Sequence, residues 1–407
     1  MIHYAFQLAR GMTLAGGEVT LVTDRHFELD SLAGAFAVAQ PLCLWKAKSR
    51  QPPAPWLRPF RRGLRGIVYY LNWLRLILFL KRLKPDFVLF GDIRFPVDAL
   101  LFTLARRIGL RMVDICHNID PYSMYGSSGG GFVSGRIRRA FYRSAYRQFE
   151  RIYVHFDSNR ERFFERFSIG KERIGTIPHG NESIFRELRQ PGHSAADLRR
   201  EHGLEPNEQV VLLFGGMSDY KGADLLIEAF AAICPTARKT RLILAGPLMP
   251  DFDLEALLAR AAKAGCSDRL LVVPGYVPAP QVASWMELAD VMALPYREIF
   301  QSGALALAQT FGVPTIVSNV GAMMEAADEG RAGLVVPPED VEALASALRR
   351  LLADRELAKG LSRRSRDLSL RRDDWARIGG TILEDLQTLS HVVERSADSS
   401  GTECEVR

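Results

Sequence analysis

Cysteine is scarce and scattered: Cys43, Cys116, Cys234, Cys266 and Cys404 are all there are in 407 residues, with no Cys-x-x-Cys among them. An odd, dispersed set supports neither a disulfide framework nor a zinc cage, and fits a reducing cytosol. Long apolar runs are missing as well. The longest, residues 67–80, is interrupted by Asn72 and Arg75; as a helix it spans about 21 Å against the ~30 Å of a bilayer core, so no membrane crossing is expected. The first twenty residues alternate polar and apolar types and lack the unbroken apolar core of a secretory leader. Compositional bias is absent too, since 47% hydrophobic and 25% charged residues exclude a disordered, collagen-like or fibrous chain. A globular chain of this length has room for two or three domains.

Charge is plentiful but uneven. Residues 1–190 carry 30 Lys and Arg against 16 acids, a net +14, while 191–407 carry 23 against 31, a net −8. A basic front half attracts anions such as phosphates or a membrane surface. Within it, residues 136–151 hold six arginines and one acid, and the four-residue spacing of Arg139, Arg143, Arg147 and Arg151 predicts one helical stripe. Arg58, Arg61, Arg62 and Arg65 precede the 67–80 run, and Lys81, Arg82 and Lys84 follow it. That pattern suits a helix lying in the lipid interface, with Trp73 and leucines below the headgroups; a core helix with a solvated charged rim is the plainer reading. No nucleic-acid module is present, so the expected partner is an anionic membrane surface and not nucleic acid.

Short β-branched runs at 18–23, 87–90, 111–115, 151–154, 210–214, 241–245, 270–273, 291–294 and 315–317 read as strands separated by helical stretches. Apolar strands joined by helical crossovers build parallel sheets buried on both faces. The expected fold class is α/β, doubly wound, twice over. Residues 181–208, polar and punctuated by Pro and Gly, fall where the charge balance changes sign and read as an interdomain linker. The division that follows is an N-terminal domain over 1–187, a C-terminal domain over 205–375, a helix over 376–392 and a disordered tail over 393–407. A doubly wound sheet normally starts with a central strand and a Gly-rich turn. This chain opens on a helix, so the coding start is expected upstream of Met1, with Gly16-Gly17 an ordinary turn.

Two turns in the back half carry chemistry. In QVVLLFGGMSDYKGADLLIEAF (209–230) a buried strand ends at Gly215-Gly216, and Lys221-Gly222 opens a helix. Glycines admit a phosphate to the backbone, a helix amino end offers unpaired N–H groups, and the lysine adds a full charge. Taken alone, an ordinary strand-to-helix turn with a solvated lysine explains this segment nearly as well. In PYREIFQSGALALAQTFGVPTIVS (295–318), Gln301, Ser302, Gly303 and Ala304 open a second helix after a strand. Two helix amino ends beside neighbouring strand ends can hold the two phosphates of one diphosphate. Asp251 and Asp253 form a short acidic motif, but it follows Pro250 and opens a helix, where an Asp cap is expected rather than a metal.

These blocks, with IHYAFQLARGMTLAGGEVTLVT, DICHNID (114–120), VHFDSNRERFFERFSIGKERIGTIPHG (154–180) and VGAMMEAADEGRAGLVVPPEDVEALASAL (320–348), occur in an order and spacing that resemble the family-4 retaining glycosyltransferases of the GT-B fold over nearly the whole chain. The resemblance implies two Rossmann-like domains facing a cleft, the first binding the acceptor and the second a nucleoside diphosphate sugar, with the last helix crossing back to the first domain. It places Lys221 on the donor diphosphate and the backbone of Ser302, Gly303, Ala304 and Leu305 on the distal phosphate, next to Gly215, Gly216 and Gln301. His117 and Asn118 fall beside the transferred sugar and acceptor, in a polar turn with Asp120 and Pro121; a satisfied loop histidine is the plainer reading. His179 and Gly180 line the acceptor side. The family's two glutamates, separated by seven residues, align with Ile299 and Leu307; Glu298, one place earlier, takes the donor-sugar hydroxyl, and nothing replaces the ribose-binding acid. Gly216 and Ser218 stand where relatives carry basic residues. Glu325 aligns with a recurrent family acid, or is a helix-terminal acid favoured by the dipole. Protein cations and N–H dipoles meet the leaving-group charge, so no cofactor and no metal are implied.

The activity implied is retaining hexosyl transfer to a glycan or lipid-linked glycan acceptor during polysaccharide or glycolipid assembly, by a cytoplasmic protein peripheral to the inner face of the plasma membrane. A catalytically silent sugar-nucleotide or glycan binder, and a same-fold nucleotide-sugar epimerase, are the alternatives.

Overall fold

The computed structural model of the protein describes residues 2–25, 27, 29, 32, 34–43, 58–91, 93, 98–119 and 135–401. The chain runs through α1 (Ile2–Leu14), β1 (Thr20–Asp24), β2 (Ala37–Leu42), α2 (Arg58–Leu83), β3 (Val88–Phe90), α3 (Asp98–Arg107), β4 (Met112–Cys116) and α4 (Gly135–Tyr146). Next come β5 (Arg151–His155), α5 (Asp157–Phe167), β6 (Ile174–Ile177), α6 (Ile184–Glu187) and α7 (Ala195–Glu201). A regular βα series follows: β7 (Gln209–Phe214), α8 (Ala223–Ile233), β8 (Thr240–Gly246), α9 (Leu254–Lys263), β9 (Leu270–Pro274), α10 (Ala279–Leu288), β10 (Val291–Leu294) and α11 (Gly303–Phe311). It continues through β11 (Thr315–Ser318), α12 (Met323–Ala326), β12 (Leu334–Val336), α13 (Val341–Ala353), α14 (Arg355–Arg371) and α15 (Trp375–Gly401).

The expected α/β class is found. Six parallel strands form one sheet in the order β12-β11-β10-β7-β8-β9. From β7 the chain winds outward through β8 and β9, then returns to the other side of β7 for β10, β11 and β12. Strands with helices on both faces lose water entirely, and Val210 to Leu213, Leu242 to Ala245 and Met292 to Leu294 are indeed fully buried. The reversal of winding direction lies between β7 and β10, where sheets of this topology leave a crevice outside their carboxyl ends. A second sheet has the order β3-β4-β5-β6, and β1 pairs with β2 in parallel.

The described chain divides into two compact units, one of Met1–Ile115, Arg138–Ile152 and Trp375–Arg407, the other of Cys116–Ile137 and Tyr153–Asp374. In the first, α15 packs along α1. The helices touch backbone to backbone at Gly11, where a Cβ would stand 2.1 Å from the Trp375 carbonyl oxygen. The second holds the six-stranded sheet and all of residues 181–208.

That last stretch is no loose linker. Ser194 and Asp197 form a capping box that starts α7, Leu198 and Leu204 join the hydrophobic core of the second unit, and Asn181 donates through Nδ2 to the Ser369 and Asp373 carbonyls. Its polarity comes from caps and backbone anchors, which composition alone does not separate from loop. The expected tail also differs, since α15 continues as helix to Gly401 by propagation from a packed helix, each further residue adding one hydrogen bond; residues 402–407, with Cys404, lie outside the described residues. Asp120 and Pro121 lie outside them too.

Two readings of the basic front are corrected. The arginine stripe is not one helix face, because α4 ends at Tyr146 and Arg151 lies on β5, ion-paired with Asp385 of α15. The flanking Arg, Lys and Gly residues extend the 67–80 run into the 26-residue α2, so that Gly63–Leu83 is long and apolar enough, by length and composition, to cross a bilayer. One face of α2 is nevertheless built into the first unit. Asn72 holds Cys43 by two hydrogen bonds, and Trp73 is buried, stacked on Phe90 with its edge on Phe102, not lipid-facing as expected.

Candidate active site

Every expected site residue lies in the second unit. β7 ends at Phe214, and Gly215 turns with φ +98° into the loop that reaches α8 through the single-turn helix Asp219–Lys221. Lys221 does not point into solvent. It is 5% exposed, its Nζ donates to the Phe214 carbonyl at 2.8 Å, and the ammonium lies 5.3 Å from the Tyr296 ring centroid. Burial pulls its pKa down to about 8, because a charge withdrawn from water is disfavoured.

The loop after β10 packs against this one. Gly222 has φ +65°, and a Cβ there would sit 2.2 Å from the Pro295 carbonyl oxygen, so only glycine admits the approach. Arg297 fastens the two loops: Nη1 donates to the Asp219 carbonyl at 2.7 Å, Nη2 pairs with Asp224 at 2.7 Å, and Nε reaches Glu339 at 3.3 Å. The hydrogen bond with Asp224 raises the Arg297 pKa, and Arg297 in turn outweighs burial to hold the Asp224 carboxyl low. Ser218 donates to Asp251, while Asp253 caps α9 through the Ala256 N–H. Among the described residues no group of three His, Cys, Asp or Glu could hold a metal ion.

At the start of α11, Ser302 is the cap, and its Oγ accepts from the Leu305 N–H at 3.2 Å. Leu305 is therefore satisfied within the chain, and the N–H groups of Gly303 and Ala304 stand at the open end of the helix. The Gln301 Oε1 is buried with no hydrogen-bond partner among the described residues, a condition native structures seldom leave without a ligand or water to meet it.

Three histidines meet beside this helix end. β4, β5 and β6 are neighbours in one sheet, and His117, His155 and His179 each lie at or just beyond the carboxyl end of one of them. His155 Nε2 is 3.1 Å from His117 Nδ1, and its Nδ1 is 3.3 Å from the Ile177 carbonyl oxygen. The His179 ring centroid is 5.2 Å from that of His155, and its Nδ1 lies 3.2 Å from the Gly180 carbonyl. A Cβ on Gly303 would stand 3.8 Å from His179 Nε2, which joins the cluster to the α11 amino end. Burial lowers all three pKa values, to about 3 for His155 and well below the ordinary imidazole value for His117, whose histidine neighbours add to the effect. Asn118 follows, half-buried. Next to His155, Phe156 is held at φ 70°, ψ 151°, a conformation that costs a side-chain-bearing residue on the order of 1–3 kcal/mol and persists where the surroundings over-determine it.

The family model described as Glycosyltransferase Family 4 matches residues 3–182, and that described as Glycosyl transferases group 1 matches residues 208–354. The chain belongs to the family-4 glycosyltransferases. It is 31% identical over 207 residues to the D-inositol 3-phosphate glycosyltransferase of Nocardia farcinica, covering 49% of this chain and 44% of that one. It is 30% identical over 207 residues to the lipopolysaccharide core biosynthesis mannosyltransferase LpsB of Rhizobium meliloti, covering 48% and 57%. The chain thus spans about half the length of the curated relatives it matches. Two solved structures share its GT-B fold: sucrose-phosphate synthase from Thermosynechococcus elongatus (TM-score 0.68, 20% identity, 95% of this chain and 92% of that one) and Anabaena HepE in complex with UDP-glucose (TM-score 0.66, 16% identity, 95% and 96%).

In this family-4 glycosyltransferase the two positions aligned with the acidic pair, Ile299 and Leu307, are buried in the hydrophobic core of the second unit. Glu298 is exposed on a cleft of about 420 Å³ between Arg162 of α5, Arg297 and the 319–321 turn. Glu325 is used elsewhere: its two carboxylate oxygens accept from the Asp157 and Ser158 N–H groups at 3.0 and 3.2 Å and so cap α5, an acid at a helix amino end as the dipole favours. The fold therefore sets Gly215, Gly216 and Lys221 in a loop fastened to the 295–297 segment, and brings His117 with His179 and Gly180 to the Gly303 helix end, while Glu325 serves a helix. Arg297 and His155 are the functional neighbours that sequence reasoning missed. A histidine ending an apolar strand (RIYVH) was the available signal for the second, since strand burial otherwise selects against it.

Proposed function

We propose that this protein transfers a hexose, with retention, from a nucleoside diphosphate sugar to a hydroxyl of a glycan or lipid-linked glycan during polysaccharide or glycolipid assembly. The observation that carries the reading is the pair of fastened loops at the switch point, with the Lys221 ammonium beside Gly215 and an open helix end at Gly303 and Ala304. In the reaction the bond from the anomeric carbon to the distal phosphate oxygen breaks, the acceptor oxygen forms the new glycosidic bond, and the acceptor proton leaves with the diphosphate. The negative charge that grows on that diphosphate meets a buried, fixed cation and the N–H dipoles of an open helix end. Glu298 holds a donor hydroxyl, and His117, with Asn118, His179 and Gly180, faces the sugar and acceptor. The LpsB name, a mannosyltransferase of lipopolysaccharide core synthesis, and the UDP-glucose bound to HepE support a hexose donor of this kind. The front domain, residues 1–187, binds the acceptor, and the protein works in the cytoplasm at the inner face of the plasma membrane.

A thermal-shift panel of UDP-, GDP- and ADP-sugars identifies the nucleotide, after which hydrolysis and transfer are followed by release of nucleoside diphosphate. Lys221→Ala is expected to weaken donor binding by roughly tenfold or more, the worth of a charge-assisted hydrogen bond, and to abolish measurable turnover. The buried Ile299 and Leu307 favour one rival, a silent sugar-nucleotide binder. Donor binding without turnover by the wild-type protein selects that rival, and product formed without any acceptor selects an epimerase.

A further inference from the structure

The three-histidine cluster fixes more than a position. A backbone carbonyl offers only lone pairs, so the His155 ring, with Nδ1 at 3.3 Å from the Ile177 oxygen and a further backbone hydrogen bond to Pro178, carries its proton on Nδ1. A neutral imidazole with one nitrogen protonated has a lone pair on the other, so His155 Nε2 is an acceptor. Its neighbour at 3.1 Å is His117 Nδ1, which must then be the donor. The opposite assignment would aim the His155 Nδ1 lone pair at the carbonyl oxygen. Burial keeps both rings neutral, with His155 at a pKa of about 3, so neither nitrogen pair is doubly protonated near neutral pH.

We propose that His155 is a positioning residue that locks His117 as its Nδ1–H tautomer through the chain Ile177 carbonyl, His155, His117, so that His117 presents an unprotonated Nε2 to the substrate. The ring then accepts a hydrogen bond from a sugar or acceptor hydroxyl and does not donate one to an oxyanion. This deepens the proposed activity and rests on its placing of His117 beside the sugar. The tautomer itself does not rest on it, because it follows from the hydrogen-bond chain between two buried, neutral rings. Phe156, held at φ 70° directly after His155, fits a ring whose setting is imposed by its surroundings.

The test has two arms on the full-length protein. Long-range ¹H–¹⁵N correlation of the ¹⁵N-histidine-labelled protein, with His117→Asn for assignment, reads the protonated nitrogen directly. The result expected is Nδ1–H for His117 in the wild type and in His155→Gln, whose side-chain oxygen can still accept, and loss of that state in His155→Leu. In the second arm kcat is expected to fall at least about tenfold in His155→Leu, the worth of one lost buried hydrogen bond, with donor KM changed less than about threefold and His155→Gln restored to near wild type. A wild-type His117 protonated on Nε2 overturns the proposal, as does a His155→Gln variant impaired as deeply as His155→Leu. If no glycosyl transfer is found at all, the spectra still decide the tautomer, so the two failures are distinguishable.

Discussion

Holding His117, His155 and His179 neutral inside one cluster has a thermodynamic consequence for folding. Each has a folded-state pKa below its unfolded value, with His155 at about 3 against an ordinary 6.5, and burial is the largest cause in every case. Between those values the unfolded chain binds protons that the native state refuses. Stability is therefore complete above about pH 6.5 and is lost as pH falls toward 3, by up to about 1.4 kcal/mol per pH unit for each histidine. Urea unfolding followed by far-ultraviolet circular dichroism is expected to give midpoints that fall from pH 6.5 to pH 4.5, with a shallower slope in His155→Gln. A wild-type midpoint that stays level across that range contradicts the assignment of buried neutral rings. Residues such as Lys221, Ser302 and His117 are legible in the sequence because type and local spacing announce them. His155 and Arg297 are not, since what gives them a role is a partner across the fold: His117, 38 residues away, or Asp224, 73 residues away.

The elements of the chain follow from pattern more directly. Nine expected strands are present within two residues of their bounds, because each is an apolar run between turn signals. The three others carry weak signals: β2 contains Pro41, β6 has Gly175 among four residues, and β12 is only three residues long. Pattern gives no strand order, however, and it is order that sets β7 beside β10 and brings their two loops together. Arg297 holds that pairing, half-shielded from water, so its contacts are worth more than a surface ion pair and less than a buried one. Arg297→Lys keeps the charge but cannot spread over three acceptors as a planar fork does. It is expected to lower the melting temperature by about 2–4 °C, corresponding to roughly 1 kcal/mol, and to weaken nucleoside diphosphate binding severalfold by calorimetry. A variant with wild-type affinity would mean that the loops are held by packing at Gly222 and Pro295 without the staple.

At the scale of the whole molecule, the separation of charge between front and back matches a separation of surfaces. On α2 the residues Ile67, Leu71, Leu74 and Leu78 recur at helical spacing and are each about half exposed (49–59%), opposite the face that buries Trp73, Ile77 and Leu80. The run is apolar on both sides, so no periodicity in the sequence could say which side is core; the fold decides it by burying the tryptophan. Leu100 and Leu104 of α3 and Phe141 of α4 are exposed in the same unit. Exposed leucines flanked by Arg65, Arg75, Lys81 and Arg82 are the composition of a helix that rests in a headgroup layer. The anchored face of α2 favours this over a crossing helix, because withdrawing Trp73, Ile77 and Leu80 from the core would cost about 1.5–3 kcal/mol for each side chain. Sedimentation with vesicles of anionic lipid is expected to capture the protein at low salt and release it as salt rises, each basic residue near the surface contributing about 1 kcal/mol. Replacing Leu71, Leu74 and Leu78 together by Gln leaves the charge intact and is expected to reduce capture at least about tenfold with little change in melting temperature, since none of the three side chains is core. Equal capture by neutral vesicles, or none by anionic ones, would remove the membrane from the proposed function while leaving the donor site untouched, because every residue assigned to that site belongs to the other unit.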